Sequence, residues 1–204
     1  MTDTPRFHRR SIRLRDYDYR AEGAYFVTIC THQRAHTFGQ IRNGGMIRNA
    51  WGDIVADEWE KTAAIRSYVE LDAFVVMPNH FHGILVITEH SGNANMGDGV
   101  GHAMTDVVGA TRRVAPTPAP DTPFNAVTPT NPPRLIAGSL GAIIGQFKSI
   151  VTKRIRQSAH AADDPIWQRN YHERILRNQA EYDVIRAYVV LNPERWGEDV
   201  LYTG

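Results

Sequence analysis

The sequence predicts an α+β protein, with helices packed on one antiparallel sheet. Three observations predict it: short β-branched and aromatic runs, longer stretches whose apolar residues recur at three and four positions, and their order along the chain, which reads strand, helix, strand, strand, helix, strand, helix. With 204 residues, 42% of them hydrophobic, one hydrophobic core is expected.

Residues 24–31 are β-branched and aromatic and read as a buried strand. Residues 38–42 read as a short strand closed by a tight turn at Asn43-Gly44-Gly45. From Ile47 the period changes: Ile47, Trp51, Ile54, Val55 and Trp59 predict an amphipathic helix through about Arg66. Residues 71–77 and 80–88 form a predicted hairpin around Pro78-Asn79. Leu140, Ile143, Ile144, Phe147, Val151 and Ile155 make the stripe of a second helix with Ser139 at its N-cap. Residues 166–176 read as a strand or irregular hairpin, and 179–191 as a last helix stopped by Asn192-Pro193.

Two segments differ in kind. Residues 1–20 carry six arginines against three aspartates and read as a basic arm. Seven of the eleven prolines fall between Pro116 and Pro133, so 90–133 reads as a disordered or loosely packed insertion in an otherwise single domain spanning 21–204. Net charge is only +1, but ten basic and six acidic residues lie between Arg134 and Arg195, which allows phosphate contacts. The single Cys30 sits in an apolar run and excludes an internal disulfide, which favours a reducing cytoplasm. No stretch approaches 18 uninterrupted apolar residues, so neither a membrane nor a secretory route is expected.

The most specific local feature is Pro78-Asn79-His80-Phe81-His82-Gly83. Histidines at i and i+2 of a strand share a face, so their imidazoles can share one metal ion while coordination positions stay open for chemistry. The same spacing also fits two structural histidines or half of a zinc site. A Cys-rich site is excluded by the lone cysteine, and a third alternating histidine is absent because Ile84 stands there. On the last helix, Tyr188 and Asn192 at i and i+4 share a face, although Tyr182, Ile185, Val189 and Leu191 also read as a packing stripe.

These two blocks, with Gly145-Gln146-Phe147-Lys148-Ser149 and Trp167-Gln168-Arg169-Asn170-Tyr171-His172-Glu173 between them, resemble the REP-associated tyrosine transposases. That family belongs to the single-tyrosine HUH superfamily, which also holds small insertion-sequence transposases. The resemblance runs from about Tyr17 to Gly197 without the insertion. It implies a ferredoxin-like sheet, His80 and His82 as ligands of Mg²⁺ or Mn²⁺, Asn192 as a further ligand where relatives often carry Gln, and Tyr188 as nucleophile. It further implies cleavage of hairpin-bearing single-stranded DNA through a 5′-phosphotyrosine, in a monomer or homodimer of the cytoplasm and nucleoid. Trp167, Tyr171 and His172 are then candidate base-stacking groups, and Lys148, Lys153, Arg154 and Arg156 candidate phosphate contacts. The aromatic residues fit a core equally well, and the basic ones a solvated helix face.

The chemistry is coherent. A tyrosine with an ordinary pKa near 10 attacks a phosphodiester poorly at neutral pH unless a cation stabilises the phenolate. Two other readings use the same residues: a structured-DNA or RNA binding protein without cleavage, and a metal phosphoesterase that uses water in place of Tyr188.

Overall fold

The computed structural model describes residues 18–88, 136–159 and 164–203. In chain order its elements are β1 (Gly23–Cys30), β2 (Gly39–Arg42), β3 (Gly45–Arg48), α1 (Ala50–Ala64), β4 (Val69–Val76), β5 (His80–Ile87), α2 (Leu140–Ala159), β6 (His172–Leu176) and α3 (Gln179–Leu191). The 90–133 insertion and, apart from residues 18–20, the basic arm lie outside the described residues.

Four strands form one sheet in the order β4-β5-β1-β6, antiparallel at every pairing. Strand β5 separates β1 from β4, and β1 separates β5 from β6, so α1 and α2 each cross over a neighbouring strand. This is the split βαβ pattern of a ferredoxin-like sheet. The central strands β1 and β5 are covered on both faces, which is why their runs are apolar without strict alternation.

Several boundaries differ from the sequence reading. Asn43 and Gly44 both adopt positive φ in the β2–β3 turn, which places Ile47 on β3, where it is 49% exposed, and not on the helix. Helix α1 starts at Ala50 because Asn49 Oδ1 accepts from the N–H groups of Trp51 and Gly52, each at 3.0 Å. Ser139 does cap α2, accepting from Ala142 N at 3.3 Å. Of 166–176 only His172–Leu176 is strand; Trp167 keeps a single bridge to Thr31.

Helices α1 and α2 cover one sheet face. There Trp59, Phe81 and Phe147 meet with ring centroids 4.7, 5.3 and 5.5 Å apart, over Tyr25, Val27, Ile29 and Leu85. Glu58, buried on α1, accepts from Arg154 of α2 at 2.6 Å and from Lys61 at 3.0 Å, which ties the two helices together. Helix α3 covers the other face through Tyr182 and Val189 against Ile84 and Leu176.

Gly83 belongs to the aromatic layer. A Cβ there would lie 2.6 Å from Trp59 Cζ2 and 2.8 Å from Phe81 Cε1, so only glycine lets the indole press against the strand. Gly83→Ala should therefore cost about 1–3 kcal/mol of stability through overpacking. Urea unfolding followed by circular dichroism checks it; an unchanged midpoint would show that the layer yields.

Candidate active site

Alternation along β5 sends Phe81, Gly83 and Leu85 into the aromatic layer and His80, His82 and Ile84 toward α3. Both histidines are buried, at 0% and 2% exposure. Their rings stand 4.4 Å apart.

His80 Nδ1 lies 2.8 Å from Asn79 Oδ1, and the Asn79 amide donates onward to Leu201 O at 2.9 Å and Thr203 Oγ1 at 3.1 Å. An acceptor on Nδ1 assigns the proton there and leaves the lone pair of Nε2 buried near the Asn192 side chain, without a hydrogen-bond partner among the described residues. Burial holds His80 down to about 4, against the opposing pull of the Asp199 charge and the nearby Asn192 side chain. Burial, then the neighbouring His80, holds His82 well below its ordinary range. Both imidazoles are neutral at pH 7, the form that ligates metal.

His82 is framed by hydroxyls, with Thr28 Oγ1 2.8 Å from Nδ1 and Tyr188 Oη 3.1 Å from Nε2. Tyr188 has one proton and donates it to Asp199 Oδ2 at 2.9 Å, so the network assigns Nε2–H to His82. Ligation through Nε2 takes the other tautomer, which Thr28 accommodates by accepting where it had donated.

Helix α3 puts Tyr188 and Asn192 one turn apart on the face turned toward these rings, and Phe26 sits edge-on to the phenol at 6.2 Å. Asn192 is buried; its Nδ2 donates to Asp199 Oδ2 at 2.5 Å, while its Oδ1 has no partner among the described residues. Asp199 also accepts from Leu201 N at 2.6 Å. Desolvation raises the Asp199 carboxyl, but the hydrogen bonds from Asn192, the Leu201 backbone and Tyr188 outweigh it, so it is ionised. Burial and this carboxylate push the Tyr188 phenol well above 10.

Ligand atoms of His80, His82 and Asp199 lie within 4.8 Å of one another. Two neutral imidazoles, one of them with its Nε2 unpartnered, one carboxylate and the unpartnered Asn192 Oδ1 fit a divalent cation. The geometry thus brings Tyr188, His80, His82 and Asn192 together and adds Asp199, which the sequence reading missed. Its place depends on the chain turning back after Pro193, and an acidic residue seven positions beyond Asn192 is not a signal in itself. Asn79, read only as a turn residue, orients His80.

The other candidates separate. Trp167 is 7% exposed and packs in the core between Phe38 at 5.0 Å and Phe147 at 6.2 Å. Lys148 donates to Gln168 O at 2.7 Å and Arg169 O at 3.1 Å, and burial draws its ammonium down to about 8. Arg154 is held by Glu58 and lies 3.6 Å from Asp57. Tyr171 packs partly against the main core. Lys153 is exposed on α2, and Arg156 borders a separate cavity. His172 is exposed on β6 opposite Thr28, which itself lies opposite His82, so these three form one row across the sheet. No described helix is long and apolar enough to cross a membrane.

No family model matches the chain. An uncharacterized protein of Haemophilus influenzae is 35% identical over 196 residues, covering 96% of this chain and 93% of its own. This chain belongs to the same family as that protein. Among solved structures it is similar to a REP-associated tyrosine transposase bound to a REP hairpin, with a TM-score of 0.48 and 15% identity over 92% of this chain and 75% of that one. A candidate transposase from Deinococcus radiodurans gives a TM-score of 0.42 and 14% identity, over 88% and 96% of the two chains.

Removing the group that orients a ligating histidine typically costs 10- to 100-fold in metal affinity. Asn79→Ala should therefore weaken Mn²⁺ binding by about that factor in calorimetric titration, and His80→Ala should abolish it. Equal affinities in wild type and both variants would place any bound ion elsewhere.

Proposed function

We propose that the chain is a metal-dependent endonuclease and strand transferase that cuts hairpin-bearing single-stranded DNA with Tyr188 as its nucleophile. The observation that carries this reading is the phenol itself. Its oxygen stands 3.1 Å from His82 Nε2 and 2.9 Å from Asp199, inside the one cluster suited to a cation among the described residues. A phosphoesterase activating water has no need of a tyrosine there, and a simple binding protein needs neither the tyrosine nor paired neutral imidazoles.

His80, His82, Asn192 Oδ1 and the Asp199 carboxylate would hold Mg²⁺ or Mn²⁺. When bound, the ion supplies positive charge that lowers the phenol's pKa and stabilises negative charge on the phosphate. Asp199 accepts the Tyr188 hydrogen bond and is positioned to take its proton. The phenolate oxygen then bonds to phosphorus in line with the 3′-oxygen, the P–O3′ bond breaks, and the 3′-oxygen leaves to become a hydroxyl after protonation. The DNA 5′-phosphate stays on Tyr188. A 3′-hydroxyl of another strand can attack that phosphotyrosine, release Tyr188 and join strands without a nucleotide cofactor. Asn192, donating to Asp199, keeps the carboxylate directed at the phenol. All these groups come from one chain, so the proposed site is complete in a monomer.

Incubation with a labelled DNA stem-loop carrying unpaired flanks, with Mn²⁺ or EDTA, tests the reading on a denaturing gel. An adduct that survives denaturation is expected with Mn²⁺, absent with EDTA, with Tyr188→Phe and with His82→Ala. Asp199→Asn should lower its rate by about 10²-fold or more, the scale of positioned proton transfer. Cleavage that persists in Tyr188→Phe and leaves a free 5′-phosphate would replace the tyrosine with water. Metal-independent binding with no product would favour a non-cutting protein.

A further inference from the structure

Beyond the cluster, one cavity of about 490 Å³ opens between the loop after β1, the start of α1 and the end of α2. Its lining includes Trp51 and the buried Ile155 and Ile166 together with the polar side chains of His32, Gln33, Arg156 and Asp164. A guanidinium and a carboxylate of opposite charge do not make an anion site. An indole beside apolar side chains, with a carboxamide that can both donate and accept, suits a flat ligand with polar edges. The volume lies within the roughly 300–1,000 Å³ of small-ligand pockets and has room for one nucleotide.

The loop that forms one wall joins the cavity to Tyr188's surroundings. Gln33 and Arg34 both hold positive φ, of 54° and 55°, a strained backbone for residues with a Cβ. The conformation is fixed from the active-site side. Thr31 Oγ1 donates to Asn79 O at 2.9 Å, Arg34 Nη1 reaches Val200 O at 3.5 Å, and His36 Nε2 lies 3.1 Å from Thr203 Oγ1. Those partners are Asn79, next to His80, and the segment that carries Asp199. From the other side the His32 N–H donates to the carbonyl of Ile166, a residue of the cavity lining, at 2.8 Å. One short loop therefore separates the cavity from the cluster, and its strained residues turn the Gln33 side chain to the cavity while Arg34 faces the cluster's C-terminal support.

We propose that this cavity receives one unpaired nucleobase of the DNA strand, stacked against Trp51 and read at its edge by Gln33, next to the strand segment held at Tyr188. The inference rests on the functional reading above and adds a base-recognition subsite to it. The strand would enter with a base in the cavity and its backbone passing over the loop toward the histidines. Sequence preference would then come from a flank of the hairpin, with the stem left to other surfaces.

The test measures binding of fluorescent DNA stem-loops by anisotropy. The unpaired flank is scanned with single abasic sites against wild type, Trp51→Ala, Trp51→Phe and Gln33→Ala, with folding checked by circular dichroism. At one flank position the abasic site should weaken wild-type binding roughly 5- to 150-fold, the range for stacking one base on an aromatic ring. Trp51→Ala should show a similar loss with intact DNA and little further loss with that abasic DNA. Trp51→Phe should restore most of the affinity, and Gln33→Ala should flatten the preference among the four bases at that position alone. If the protein binds and forms the Tyr188 adduct but abasic and Trp51→Ala losses add at every position, the cavity is not a base site and the function stands. If it binds no stem-loop under any condition, both readings fall together.

Discussion

The pairing register of β5 between β4 and β1 is the constraint on which the rest of the molecule depends. Side chains alternate along a strand, so a slip of one residue would drive His80 and His82 into the Trp59–Phe147 layer and turn Phe81 out toward α3. The aromatic layer forbids that slip. Gly83 admits Trp59 only in the observed register, and Cys30 opposite His80 and Thr28 opposite His82 fix where the imidazoles stand. The packing that stabilises the fold is thus the same packing that positions the proposed ligands.

Electrostatically the cluster is short of positive charge. Burial keeps both imidazoles neutral, the phenol keeps its proton, and Asp199 carries a charge that several hydrogen bonds stabilise. A buried nitrogen lone pair and a buried amide oxygen in the same place lack partners among the described residues. Buried polar atoms are seldom left unsatisfied, because each costs about 1–3 kcal/mol. Their coincidence with a lone carboxylate is a stronger statement about cation affinity than the spacing of the two histidines.

Much of this was legible in the sequence and some was not, for identifiable reasons. The order of elements and the shared faces of His80 with His82 and of Tyr188 with Asn192 follow from local periodicity, which is set within a few residues. Asp199 was not legible because its approach to Tyr188 is made by the chain reversing after α3, a tertiary event with no local pattern. Trp167 and Lys148 show the opposite case. An aromatic and a cation in motif-like blocks read equally as DNA contacts or as a core residue and a solvated helix face, and the fold uses the indole to fill the gap between Phe38 and Phe147 and the ammonium to bind two loop carbonyls. Composition cannot distinguish a basic residue facing solvent from one holding a loop. The early helix start at Ile47 failed for a simpler reason: a three-and-four repeat continued by chance across a strand and a cap.

On the proposed reading, the origin of phenol, amide, carboxylate and both imidazoles in a single polypeptide has a genetic consequence. Where a nucleophile is lent across a dimer interface, a defective copy can poison a good one, and two differently defective copies can rescue each other. Here neither effect is expected. A Tyr188→Phe allele should be recessive beside the wild type, alleles lacking Tyr188 and His82 should not complement, and activity per molecule should be unchanged at the low copy numbers at which subunits seldom meet.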